Sequence, residues 1–122
     1  MKTKSIRYLP KGGLEVVTLD VPEPGVGEVQ VRGTACGICA WDQNTYRSGS
    51  EVAWAAPAGH EGIGRVVKVG PGVEGLHEGD RVAGGGFAGL ANLKASSVYP
   101  LPESTLEDVY WLVEPLSCVV TG

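Results

Sequence analysis

Glycine or proline interrupts almost every apolar run in this chain, which leaves little room for long helices. Nineteen glycines and eight prolines lie among 122 residues, spread between short β-branched stretches rather than gathered in one linker. That punctuation predicts a mainly β domain of short strands joined by turns. The hydrophobic fraction, 43%, is too high for a disordered chain. A chain this long can bury roughly two-thirds of its unfolded surface, so residues 1–122 are expected to form one domain without disulfide staples.

The strands can be placed by their periodicity. Leu14 to Val21 is β-branched and partly alternating, and Pro22 to Gly27 ends it with turn chemistry. Glu28-Val29-Gln30-Val31-Arg32-Gly33 alternates polar and apolar strictly, which predicts a strand with Val29 and Val31 pointing inward. From Thr34 to Gly49 the period disappears, so Cys36-Gly37-Ile38-Cys39-Ala40-Trp41-Asp42 falls in an irregular or short-helical crossing. After a turn at Pro57, strands are expected from Gly62 to Gly70, from Gly79 onward and from Ala91 to Pro100, with Gly84-Gly85-Gly86 as a tight loop or bulge. Ser104 and Glu107 have capping-box spacing, which predicts a helix presenting Leu106, Val109, Tyr110 and Val113 on one face. Pro115 should break that helix near Glu114 and open a second one. Together these elements suggest a small, partly open β-barrel with short helices and a C-terminal helix.

Charge narrows the partners. A net charge of -4 and a pI of about 5.1, with no basic cluster, argue against nucleic acid. No apolar run follows the N-terminal Lys2, Lys4 and Arg7, so neither a signal peptide nor a membrane span is expected, and the default compartment is the cytoplasm. Three cysteines without export signals point to thiols or metal ligands rather than to a disulfide framework.

The chemistry-bearing stretch is Gly59-His60-Glu61-Gly62-Ile63-Gly64, an imidazole beside a carboxylate in a glycine-rich entry to a strand. Cys36-x-x-Cys39 has metal or redox spacing, but no second Cys pair follows for a zinc ribbon and no βαβ pattern accompanies it for a thioredoxin-type pair. Cys39, His60, Glu61 and Glu114 together supply thiolate, imidazole and carboxylates from three separated segments, a mixed set that suits zinc. Cys36 reads more readily as a small buried residue than as a ligand. His77 reads as a surface-turn residue, and Cys118 reads equally as helix packing or as a residue of the site.

Five motifs in order resemble the N-terminal, GroES-like catalytic domain of zinc-dependent medium-chain dehydrogenases, particularly the polyol, sugar and threonine branch. They are Cys-Gly-Ile-Cys-Ala-Trp-Asp at 36–42, Gly-His-Glu-Gly-Ile-Gly at 59–64, Val-Gly-Pro-Gly-Val at 69–73, Gly-Asp-Arg-Val at 79–82 and Glu-Pro-Leu-Ser-Cys at 114–118. The resemblance implies a GroES-like partly open barrel and a single catalytic zinc on Cys39, His60 and Glu61, with Glu114 as a further ligand, direct or through water. It implies that Asp42 is the carboxylate that orients the ligand histidine. Cys118 would approach the nicotinamide of NAD or NADP, and the substrate would be a small alcohol, polyol or sugar.

Trp41 stands where many members of that family carry Ser or Thr, and Asn44 where many carry a relay histidine. The resemblance then leaves Glu61 or Glu114 as base and Trp41 as a wall of the substrate pocket. Between Val82 and Ala91 there is only glycine-rich loop, with no cysteines for a structural zinc. The glycines at 84–86 do not make a dinucleotide-binding fingerprint, because no helix opens directly after them, so NAD or NADP would be held by a Rossmann domain missing from this chain. A truncated catalytic domain is therefore expected, compatible with a homo-oligomer. The alternative is a stand-alone, non-catalytic GroES-like binding module.

Overall fold

The computed structural model describes residues 1–51 and 58–121, and the turn expected at Pro57 lies outside them. Two sheets carry the fold. The larger has five strands, β3 (Glu28–Gly37), β4 (Glu61–Val69), β5 (Arg81–Ala83), β6 (Leu90–Lys94) and β7 (Tyr99–Pro100), in the order β6-β3-β4-β5-β7 with every neighbour antiparallel. The smaller is a hairpin of β1 (Lys2–Tyr8) and β2 (Leu14–Asp20). The architecture is mainly β and its barrel is not closed. Among the described residues two α-helices complete it, α1 (Ala40–Ser48) and α2 (Val113–Thr121). No helix among the described residues is long and apolar enough to cross a membrane.

The core sits on the five-stranded sheet. Val29 and Val31 of β3, Val66 of β4 and Val82 of β5 pack together with Leu76 and Val98. The inward placement of Val29 and Val31 matches the alternation, since they are 0% and 3% exposed. The opposite face is not solvent, however. Gln30 is also buried, and its Nε2 donates to the Pro22 carbonyl at 3.0 Å and to Asn92 Oδ1 at 3.1 Å. Alternation marks the polar face of a strand but cannot say whether a neighbouring loop covers it.

β1 escaped the periodicity argument because Lys-Thr-Lys-Ser-Ile-Arg-Tyr is mostly polar. It forms because β2 supplies a full antiparallel partner, Ile6 opposite Val16 and Tyr8 opposite Leu14. Tyr8 and Ala58 then seed a second small core with Ile6 and Phe87.

The helix expected around Leu106 is not formed. Residues 102–107 are not helical, a 3₁₀ turn runs from Asp108 to Trp111, and α2 begins only at Val113. The Ser104 hydroxyl accepts from Leu106 N at 3.1 Å and closes a local turn instead of capping a helix. Asp108 is drawn to Arg81 and Thr34, which fixes the segment against the sheet edge, and Leu106, Val109 and Tyr110 remain exposed. Pro115 does stand near the start of α2, as a residue lacking an N–H should. The single β segment expected at 91–100 is split by a 3₁₀ turn at Ala95–Ser97.

The glycines at 84–86 let that loop lie directly on β4. A methyl group on Gly62 would come within 2.6 Å of the Gly84 carbonyl oxygen and 2.7 Å of the Gly85 backbone. Backbone atoms cannot swing aside as a side chain can, so Gly62→Ala should cost about 1–3 kcal/mol, as overpacking does. Urea unfolding of the two chains checks it, and an unchanged midpoint would show that the loop is free to move.

Candidate functional site

The pairing of β3 with β4 is what assembles the site. Its register sets Cys36 opposite Gly62 and Gly37 opposite Glu61, so the cysteine-bearing and histidine-bearing motifs, far apart in the chain, become neighbours. Glu61 opens β4 with its side chain buried and folded over Gly37, where any Cβ would collide with the carboxylate. Any larger residue at 37 would therefore push the Glu61 carboxylate out of this place.

Cys39 follows β3 as the N-cap of α1, with extended φ and ψ of -94° and 176°. Its Sγ lies 3.6 Å from His60 Nε2. Asp42, three residues on, is buried, and its Oδ2 accepts from Cys39 N at 2.9 Å. A carboxylate in the first turn also suits the positive end of the helix. Its other oxygen, Oδ1, accepts from the Tyr8 hydroxyl at 3.0 Å.

Trp41 is half exposed and meets Tyr8 on one side and His60 on the other, edge to face, with ring centroids 6.2 and 6.3 Å apart. It lines neither of the two cavities beside this cluster. From the far end of the chain, α2 brings Glu114 within reach. Ligand atoms of His60, Glu61 and Glu114 lie within 4.8 Å of one another, as do those of Cys39, Asp42 and His60. His60 belongs to both groups and joins them. One turn along α2, the Cys118 thiol donates to Glu114 Oε1 at 3.2 Å.

The electrostatics fit a site that needs a cation. Burial, then the hydrogen bond and charge of Glu114, push the Glu61 carboxyl above its ordinary value, while His60 opposes them. Cys118 is raised chiefly by its bond to Glu114. Burial holds the Cys36 thiol up at about 11, which suits the packing role over the ligand role. Tyr8 reaches about 12 through burial and its contact with Asp42. His77 is an exposed turn residue whose backbone N–H donates to Asp80 Oδ2.

Two cavities flank this cluster. One of about 430 Å³ is lined by His60, Gly62, Gly84, Tyr99, Glu114 and Ser117 and opens directly on the histidine and glutamate. The other, about 590 Å³ and apolar, lies behind α1 against Tyr8, Cys36, Asp42 and Phe87. The first touches the cluster at His60 and Glu114, the second at Asp42.

The alcohol dehydrogenase GroES-like domain matches residues 25–103, which spans β3 through β7 and includes Cys39, Asp42, His60 and Glu61. The chain belongs to this alcohol dehydrogenase GroES-like family. L-threonine 3-dehydrogenase of Pyrococcus abyssi is 44% identical over 87 residues, covering 68% of this chain and 24% of its own. D-arabinitol dehydrogenase 1 of Uromyces fabae is 30% identical across 97% of this chain and 42% of its own. Among solved structures, 2R,3R-butanediol dehydrogenase of Bacillus subtilis superposes with a TM-score of 0.81 at 25% identity, over 93% of this chain and 44% of that one. An Escherichia coli alcohol dehydrogenase complexed with NADH gives 0.80 at 26%, over 98% and 44%. The chain therefore spans less than half the length of these dehydrogenases.

The structure brings Cys39, Trp41, Asp42, His60, Glu61, Glu114 and Cys118 to one place. Sequence reasoning missed Tyr8. Nothing in the run Lys2–Tyr8 marks it, and only the β1–β2 hairpin carries it to Asp42.

Proposed function

We propose that this chain is the metal- and substrate-binding part of a zinc-dependent alcohol or polyol dehydrogenase. NAD or NADP would be held by a Rossmann domain of the whole protein. The observation that carries the reading is that a thiol, an imidazole and two carboxylates, one of them buried, gather around His60, which lines a cavity of substrate size together with Glu114. Cys39, His60, Glu61 and Glu114 would hold the zinc, a donor set of mixed softness that fits this ion. When bound, zinc supplies Lewis acidity that makes a substrate hydroxyl easier to deprotonate, and the nicotinamide accepts the hydride.

The chain's own residues do the rest. Asp42 holds the backbone of Cys39, so the thiolate is presented at a fixed place. Trp41 packs edge to face on His60 and would shape the substrate's approach to it. The carboxylate oxygens of Glu61 and Glu114 lie close together beside His60, so whichever of them is not on the metal would take up the substrate's proton at a carboxylate oxygen. Cys118 sits on the face of α2 that carries Glu114, in keeping with a place beside the cofactor.

Metal analysis of the freshly purified chain tests the reading. One zinc per chain is expected. Two would reveal a structural site that the glycine-rich loop at 84–86 does not provide, and none would overturn the proposal.

A further inference from the structure

We propose that Tyr8, at the end of β1, is a positioning residue for the metal cluster, acting through Asp42. The inference rests on the zinc reading and adds a residue from outside the segment that the family match covers, residues 25–103. Asp42 is 1% exposed, and a carboxylate that deep is held in place only by the donors that reach it. Cys39 N donates to its Oδ2 at 2.9 Å and the Tyr8 hydroxyl to its Oδ1 at 3.0 Å. One donor is the backbone of a ligand residue. The other comes from a different sheet.

Tyr8 also fixes the neighbour of the second ligand. Its ring, 3% exposed, meets Trp41 edge to face, and Trp41 meets His60 in the same way. A single side chain thus reaches Cys39 through Asp42 and His60 through Trp41. The β1–β2 hairpin, which contributes no ligand, becomes the support against which both are set. Supports of this kind commonly change metal affinity without touching the metal.

The test uses cobalt ion as a probe on the whole 122-residue chain, since a thiolate gives cobalt a charge-transfer band in the near ultraviolet. Tyr8→Phe keeps the ring on Trp41 and deletes the hydroxyl. It should weaken cobalt binding by about tenfold or more, the range expected for an outer hydrogen-bond partner, and alter the visible band, with the circular dichroism spectrum unchanged. Asp42→Asn reaches the same hydrogen bond from the other side. In that background Tyr8→Phe should add less than about a threefold further loss, because residues that act as one unit are not additive.

Cobalt binding of Tyr8→Phe equal to that of the parent chain would overturn the inference and leave the metal reading standing. A full, additive loss in the Asp42→Asn background would overturn it too, and this comparison decides the matter if Tyr8→Phe alone disturbs the fold. A parent chain with no thiolate-to-cobalt band would overturn the metal reading itself, and Tyr8's part in it.

Discussion

Cys39→Ser should strip the zinc from the chain, weakening its binding at least about a hundredfold, more than the loss of an outer partner brings. The serine hydroxyl stays protonated at neutral pH and is a poor ligand for a borderline ion, whereas the thiolate is a strong one. The substitution leaves the backbone N–H that binds Asp42 in place, so the N-terminus of α1 should survive and the loss should be one of affinity alone. Cys36→Ser is the matched control. Burial keeps the Cys36 thiol protonated, with its pKa at about 11, so this change should leave the zinc content nearly intact. Titration of both variants against a zinc chelator compares them, and a Cys39→Ser chain that retained its zinc would move the site elsewhere.

Asp108→Ala should be the most destabilising single change outside the hydrophobic core. Arg81 is buried on β5, and its Nη2 lies 2.7 Å from Asp108 Oδ1. The same nitrogen reaches the Leu106 carbonyl at 3.3 Å, and the guanidinium lies over Trp111 at 6.0 Å. Its Nε and Nη1 are buried without a hydrogen-bond partner, so the ion pair is its main compensation. Removing one partner of a buried pair leaves an uncompensated charge and typically costs about 3–5 kcal/mol. Thr34 would lose one of its two acceptors as well, keeping the Ile63 carbonyl.

Urea unfolding followed by circular dichroism measures the effect, with the stability read from the midpoint and slope. Replacing both partners, as Arg81→Met with Asp108→Leu, should recover much of the loss, since no charge is then left behind. A loss under about 1 kcal/mol for Asp108→Ala would place the pair among surface ion pairs. Because the Asp108–Trp111 turn leads directly into α2, the same variant should also weaken the hold on Glu114 and hence on zinc.

Several parts of the fold were legible for simple reasons. The alternation at Glu28–Gly33 placed Val29 and Val31 in the core, and Pro115 marked the start of α2. The family resemblance, carried by short motifs, agreed with the GroES-like match across residues 25–103. What failed has equally local causes. β1 is polar and becomes a strand only because β2 lies beside it. The stretch at 104–107 has the spacing of a capping box, yet the pull of Arg81 on Asp108 and the local turn at Ser104 hold it out of a helix.

The sequence by itself determined which reactive groups the chain has to offer, the Cys39 thiol, the His60 imidazole and the carboxylates of Glu61 and Glu114. It also determined the short strands, since glycine and proline act within a few residues of where they stand. Only the tertiary structure decided the support of the site. Tyr8 meets Asp42 across 34 positions, and Arg81 meets Asp108 across the sheet edge. Neither contact has a local signature. Each depends on strand register and on which faces are buried, and those are settled by the packing of the whole chain.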